Sequence, residues 1–280
     1  MTSYKMGIDI GATKTHIGIV RNAQIVDEIK YPTRAQASKE DIIEDLISHM
    51  NNFVKYDFKS VGIGVPGLVD DKTGIVYDLT NIPSWQEVPL KDRLEEHFKV
   101  PVRVTNDANM FALGEKTYGA GKKYDNIVGI TLGSGFGAGL VIEGRMYSGI
   151  LSSAGEMADI PYLDKTIEDY CSGKFFRQQY DLEGVKLSKM AVAGDENAQH
   201  IFYEFGTHVG AAIRIIMNIL SPQAVFLGGS VSQSFSLFEQ GMLDKLKDYP
   251  FARVRNTIHI AASKTPNISI LGAAALVDGK

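Results

Sequence analysis

Apolar positions along the chain follow two periods. Residues 4–10, 15–20 and 24–30 are short runs rich in β-branched side chains and cut by glycine, which predicts three strands. Ser38 then precedes Lys39, Glu40 and Asp41, a helix N-cap with an acid three residues on. Ile42, Ile43, Leu46, Ile47, Met50, Phe53 and Val54 share one face of the helix that starts there. Residues 60–65 form a further strand, closed by Pro66-Gly67. Strand, strand, strand, helix, strand is an α/β order. Later, Phe202, Phe205, Val209, Ile213, Ile216 and Leu220 stripe a long helix over 201–220, which Ser221-Pro222 ends. Residues 224–227 read as a buried strand running into Gly228-Gly229, and 270–276 as a last helix.

The N-terminal pattern recurs. Gly7-Ile8-Asp9-Ile10-Gly11-Ala12-Thr13 resembles Gly129-Ile130-Thr131-Leu132-Gly133-Ser134-Gly135, and an apolar strand follows each. A strand–glycine turn–strand unit used twice favours duplication over coincidence, with two related halves. Gly119-Ala120-Gly121 with Lys122-Lys123 is the best candidate for a joint near their boundary.

Composition narrows the class. With 44 % hydrophobic and 22 % charged residues over 280 positions, a sizeable core can be buried. A net charge of −4 gives no electrostatic reason to expect nucleic acid or an anionic membrane as partner. One cysteine, Cys171, fits a reducing compartment. No run approaches the ~18 apolar residues of a membrane span. The expectation is a cytoplasmic protein.

Two groups of residues carry candidate chemistry. Gly11-Ala12-Thr13-Lys14 follows a strand holding Asp9, and Gly133 to Gly137 is a second glycine turn. Tight glycine turns let backbone N–H groups approach a phosphate. Asp9 in an apolar strand is costly unless paired, and a metal-bound water would satisfy it; a plain hairpin with a capped acid is the bland alternative. Neither turn is a Walker loop or a dinucleotide fingerprint. The second group is Asn106-Asp107, which stops an apolar strand through Val102 and Val104. A carboxylate there suits catalysis in an α/β protein. Spacing alone favours Asp107 as the N-cap of the next helix, and the two roles are not exclusive.

Several motifs in order resemble the ROK (repressor, open reading frame, kinase) sugar kinases of the actin/hexokinase superfamily. They are Asp9 to Lys14, Gly64 to Asp70, Asn81-Ile82-Pro83-Ser84-Trp85, Asn106 to Asn109 with Ala112 to Glu115, Gly133 to Gly149, Gly155-Glu156, Leu227-Gly228-Gly229 and Ile270 to Ala274. The resemblance implies a two-lobed ribonuclease H-like α/β fold with the active-site cleft between lobes. Residues 1–110 with a returning helix at about 268–280 would form one lobe, and 111–267 the other. It implies ATP-dependent phosphorylation of a hexose hydroxyl, glucose leading, with N-acetylmannosamine, fructose or another hexose behind it. Asp107 then looks like the catalytic base. Gly67, Asn81, Asn106, Glu156 and Glu168 look like sugar-site residues. Gly11, Thr13, Lys14, Gly133, Ser134, Gly135, Gly228 and Gly229 match nucleotide contacts, and Asp9 matches the acid that holds Mg²⁺ through water. A homodimer is the family expectation.

One stretch departs from the commonest family pattern. Asp159 stands where many relatives have a zinc-binding histidine, and only Cys171 follows where they have three cysteines. A structural zinc site normally takes four side-chain ligands, mostly Cys and His; Asp159 and Cys171 cannot supply that set, so no zinc site is expected. Packing by Ile160, Pro161, Tyr162, Leu163, Ile167 and Tyr170 would hold the loop instead. Asp159 replaces the histidine as a sugar acceptor or faces solvent; the residues do not choose. Trp85 stacks on a sugar or packs in its loop. The six histidines read as surface or internally satisfied residues. A non-catalytic sugar-binding regulator is the rival reading; with the first turn at Gly11, no DNA-binding module is expected ahead of it.

Overall fold

The three glycine-cut runs at the start of the chain form β1 (Lys5–Ile10), β2 (Lys14–Arg21) and β3 (Gln24–Pro32). Ser38 caps α1 (Lys39–Asn51), its Oγ accepting the Asp41 N–H at 3.1 Å. The helix stops at Asn51, so Val54, placed on its apolar face by spacing, lies beyond it and is exposed. β4 (Val61–Val65) is buried at every residue, as a strand flanked on both sides should be. A small sheet of β5 (Leu68–Asp70), β6 (Ile75–Tyr77) and β7 (Glu87–Pro89) precedes α2 (Leu90–Phe98). Then come β8 (Val102–Asn106) and α3 (Asp107–Thr117).

This computed structural model describes residues 3–278. They divide into two units. The first takes the described chain up to Asp125, Gly139–Gly155 and the stretch from Lys264; the second takes Asn126–Ala138 and Glu156–Ser263. A boundary at 110/111 is therefore corrected to follow Asp125. The reason is local. Glu115 Oε2 accepts the Ala120 N–H at 3.2 Å, and Lys116 Nζ donates to the Tyr124 carbonyl at 2.7 Å, so α3 ties the chain to itself that far. The expected joint at 119–123 is a helical turn with Gly121 buried.

The remaining elements are β9 (Ile127–Leu132), β10 (Phe136–Ile142), β11 (Arg145–Tyr147), β12 (Pro161–Tyr162), β13 (Lys165–Thr166), α4 (Ile167–Cys171), α5 (Gly173–Tyr180) and α6 (Gly184–Val192). They continue with α7 (Glu196–Ile219), β14 (Ala224–Gly228), α8 (Phe235–Leu246), α9 (Ala252–Arg255), β15 (His259–Ala262) and α10 (Ile268–Leu276). α7 starts five residues before the expected start at 201 because Asp195 caps it, accepting the Ala198 N–H at 2.9 Å. No helix among the described residues is long and apolar enough to cross a membrane.

Sheet topology bears out the duplication. The first sheet runs β3-β2-β1-β4-β8 and the second β11-β10-β9-β14-β15. In both, a hairpin partner flanks the leading strand on one side. On the other side lie two further strands, parallel to it: β4 and β8 beside β1, β14 and β15 beside β9.

α10 fixes α3 against the first sheet. A Cβ on Gly62 of β4 would lie 1.8 Å from the Ala273 carbonyl, and one on Gly272 2.0 Å from the Met110 carbonyl. Only glycine permits such backbone contact. The helix thus beds against the sheet and against α3, whose first residue is Asp107.

Candidate active site

In the first unit, the Gly11 N–H donates to the Lys14 carbonyl at 3.0 Å and closes the turn between β1 and β2. Thr13 and Lys14 are exposed on it. The Thr13 carbonyl accepts the Thr33 N–H at 3.1 Å, which fixes the backbone from behind. Asp9 lies half-buried on β1 just before the turn. Burial pushes its carboxyl up to about 6, and the Lys14 ammonium opposes this. A carboxylate whose charge is penalised in this way gains from a nearby cation, so Asp9 fits a Mg²⁺ ion held through water.

β8 ends at Asn106, whose backbone is extended (φ −66°, ψ 146°). Its Oδ1 accepts the Ala108 N–H at 2.8 Å and its Nδ2 donates to the Gly67 carbonyl at 3.3 Å. Asn106 is thus the N-cap, which corrects the reading that gave capping to Asp107. Asp107 is the first helical residue, half-buried, with Oδ1 2.9 Å from the Ala108 N–H. A carboxylate in the first turn is favoured by the helix dipole. The structure thus brings Gly67, Asn106 and Asp107 together. Asn81 is exposed on a loop anchored by buried Leu79, Ile82 and Trp85. Trp85 is fully buried, so it packs in that loop.

Three residues to which the sequence assigned no role, Asn109 among them although its motif was noted, steady the same region. Asn109 Nδ2 donates to the Ser152 carbonyl at 3.3 Å, and Ser152 Oγ donates to Asp71 Oδ1 at 2.5 Å. They hold a turn in which Leu151 and Ser152 take left-handed backbone angles (φ 51° and 58°). Non-glycine residues there cost about 1–3 kcal/mol each and persist only when neighbours enforce them. Asn109 in the Asn-Asp-Ala-Asn run was the available signal.

In the second unit, the glycine turn between β9 and β10 is clamped from one stretch of chain. The Gly133 N–H donates to the Gly135 carbonyl at 3.0 Å, and the Gly173 N–H donates to the Gly133 carbonyl at 2.8 Å. Ser172 Oγ donates to the Ser134 carbonyl at 3.4 Å. Glu168 Oε2 accepts the Phe136 N–H at 2.9 Å, and Glu168 Oε1 accepts from Lys174 Nζ at 2.5 Å. A Cβ on Gly135 would lie 2.6 Å from that same Oε2. Beside the turn is a cavity of about 450 Å³, with Gly133, Ser134, Gly173, Arg177, Ser188 and Ser230 among its lining residues. Gly228 ends β14, and Gly229 follows with φ 84°, 2.3 Å from the Leu132 carbonyl by its would-be Cβ. These two glycines aim the chain at Ser230 rather than lining the cavity.

Glu156 follows Gly155 (φ 94°) and is exposed. Partial burial raises its carboxyl pKa, and Asp159 and Glu168 add to the shift. Asp159 is exposed but close enough to act on Glu156. The loop beyond is held by Ile167 and Tyr170, both buried, whereas Leu163 is 69 % exposed and Pro161 is exposed. The sequence reading missed the centre of this packing, His208. Its Nδ1 lies 3.0 Å from the Tyr162 hydroxyl, and its ring contacts Tyr170 and Phe175 at centroid distances of 4.7 and 5.3 Å. Cys171 is fully buried and its thiol pKa is driven far up by desolvation, which suits packing and not nucleophilic attack. Among the described residues, no group of three or more His, Cys, Asp or Glu could hold a metal ion.

Known proteins resemble the whole chain. The sequence model of the ROK family matches residues 5–280. A glucokinase of Halalkalibacterium halodurans is 30 % identical, over 89 % of this chain and 87 % of that protein. An N-acetyl-D-glucosamine kinase of Pasteurella multocida is 31 % identical, over 84 % of this chain and 86 % of that one. Among solved structures, a ROK family glucokinase from Streptomyces griseus in complex with glucose and AMPPNP matches with a TM-score of 0.86 at 27 % identity. That match covers 99 % of this chain and 100 % of the other.

Proposed function

The chain belongs to the ROK family, and from that premise we propose that it is a sugar kinase moving the terminal phosphoryl group of ATP to a hexose hydroxyl. Glucose, giving glucose 6-phosphate, is the leading substrate. N-acetylglucosamine, N-acetylmannosamine and fructose follow, the first because of the relative that bears its name. One observation carries the reading: Asp107 stands at the end of a buried parallel strand, on the first turn of α3, beside a capping Asn106 tied to Gly67.

The chemistry assigns the roles. A sugar hydroxyl is a weak nucleophile at neutral pH. The Asp107 carboxylate accepts its proton as the new O–P bond forms and the bond from the terminal phosphorus to the bridging oxygen breaks, ADP leaving with that oxygen; such proton transfer is typically worth ~10²–10⁴-fold. Asn106, Gly67, Asn81, Glu156 and Glu168 orient the sugar. Gly11, Thr13 and Lys14 with Gly133, Ser134 and Gly135 supply backbone donors, a hydroxyl and an ammonium to the phosphates. Gly228 and Gly229 shape the nucleoside wall through Ser230. Asp9 would hold Mg²⁺ through water, and the ion would supply charge neutralisation to the phosphates. We expect a cytoplasmic homodimer without nucleic acid or membrane as partner.

A coupled assay of ADP release across a sugar panel tests this. Turnover with at least one hexose supports it. Sugar binding without ADP release from any member would instead make the chain a non-catalytic regulator.

A further inference from the structure

We infer that Lys174 is the cation that receives the terminal phosphate of the donor and lets the site tell a nucleoside triphosphate from a diphosphate. This rests on the donor reading of the second glycine turn. The turn has two ends. Gly133 and Ser134 open onto the cavity, whose volume of about 450 Å³ suits a nucleoside. Gly135 and Phe136 lie instead against Glu168, which also holds Lys174. Arg177, one turn along α5 from Lys174, lines the cavity, and Lys174 does not. A phosphate chain that leaves the cavity and follows the turn therefore passes Arg177 first and reaches Lys174 last.

Lys174 is equipped for the task. An ammonium has three donors, and Glu168 takes one. The side chain is 40 % exposed, so the others remain open. Its neighbours Glu168, Asp169 and Asp159 keep it protonated. The same acids would repel an incoming phosphate, and with Glu156 they make this end of the turn negative unless Lys174 offsets them. Its position is also fixed. Ser172 Oγ accepts the Lys174 N–H at 3.1 Å while Gly173 is bonded to Gly133, so Lys174 moves with the turn it serves. Arg177, by contrast, is paired with Glu183 at 3.5 Å on the cavity wall.

The test is calorimetric titration of the full chain with ADP and with a non-hydrolysable ATP analogue, both with Mg²⁺ and without sugar. Lys174→Gln keeps a hydrogen-bond donor for Glu168 but removes the charge, and Lys174→Arg keeps the charge. The Gln variant should weaken the triphosphate analogue about tenfold and ADP by less than about twofold, and the Arg variant should recover most of the loss. Equal weakening of both nucleotides, or weakening of neither, overturns the role. If unaltered protein binds neither nucleotide, the donor reading itself fails. Binding by unaltered protein with no discrimination lost in Lys174→Gln sinks this inference alone.

Discussion

The two glycine turns share a frame and differ in where they get their charge. Each follows the leading strand of a sheet with the same strand order. At the equivalent strand position, the first has Asp9 and the second Thr131. The first turn carries its acid inside the strand, where burial lifts the carboxyl to about 6. The second takes its acid from outside, through Glu168 of α4, with both oxygens engaged by Phe136 and Lys174. A half-buried carboxylate whose charge burial penalises suits a cation, and the second turn, clamped by Glu168 with Lys174 at its rim, suits an anion. One scaffold unit, used twice, carries its acid in its own strand in one copy and borrows it from α4 in the other.

Asp107, proposed above as the base, lies in the first unit, and removing it is the largest expected effect. Asp107→Asn should keep sugar and nucleotide affinity and lower kcat by at least ~10²-fold. Amide and carboxylate have the same shape, and the Oδ1 contact to the Ala108 N–H can persist. Turnover near that of the unaltered protein would remove Asp107 from the mechanism.

Asp9→Asn separates function from stability. The folded-state pKa is raised, so Asp9 supports the fold below about pH 4 and loses that support as pH rises through about 6. At pH 7 the variant should be more stable by roughly 1–3 kcal/mol, and the gap should close between pH 6 and 4. It should also lose Mg²⁺-dependent turnover while binding sugar normally. Melting curves across pH, with magnesium titrations on the same protein, decide it. A variant destabilised at pH 7 would mean that Asp9 is a structural acid.

How much of this was legible in the sequence depended on what each residue obeys. Elements came through where period and caps agreed, as in α1 with Ser38, or in the buried run of β4. Asn106-Asp107 was visible as a polar stop on an apolar strand. Which of the two caps the helix was not, because both residue types cap well and only backbone angles distinguish them. Glu168 could be matched to a sugar site by its motif. That its carboxylate also braces the Phe136 N–H, 32 residues earlier, is a tertiary fact that no local pattern encodes. His208 escaped for the same reason. On a helix stripe it is one more half-apolar residue, and its partners Tyr162, Tyr170 and Phe175 arrive from elsewhere in the chain.

His208 gives a smaller effect, on the second unit only. Burial lowers its pKa, so it stays neutral in the fold, and its contribution is present above about pH 6.5 and fades as pH falls. His208→Phe removes the Tyr162 hydrogen bond and should cost about 1 kcal/mol at pH 7.5, with the gap narrowing in acid. Thermal melts at pH 7.5 and in acid test it. A constant gap would show that protonation of His208 is not what changes.

The smallest expected effect is none at all, and it follows from the same cluster. If Tyr162, Tyr170, Phe175 and His208 hold the 156–171 loop, no metal is needed to hold it. Asp159 and Cys171 do not make up a structural zinc set, which takes four ligands, mostly Cys and His. Cys171 is fully buried, and its thiol resists ionisation there, whereas zinc binds the thiolate. His208 Nδ1 is already committed to Tyr162. Purified protein should therefore contain no stoichiometric zinc. A zinc chelator, with Mg²⁺ in excess, should leave Tm and turnover unchanged, while His208→Phe lowers Tm. Elemental analysis finding about one zinc per chain, lost together with Tm on chelation, would replace the aromatic cluster with a metal as the fastening of this loop.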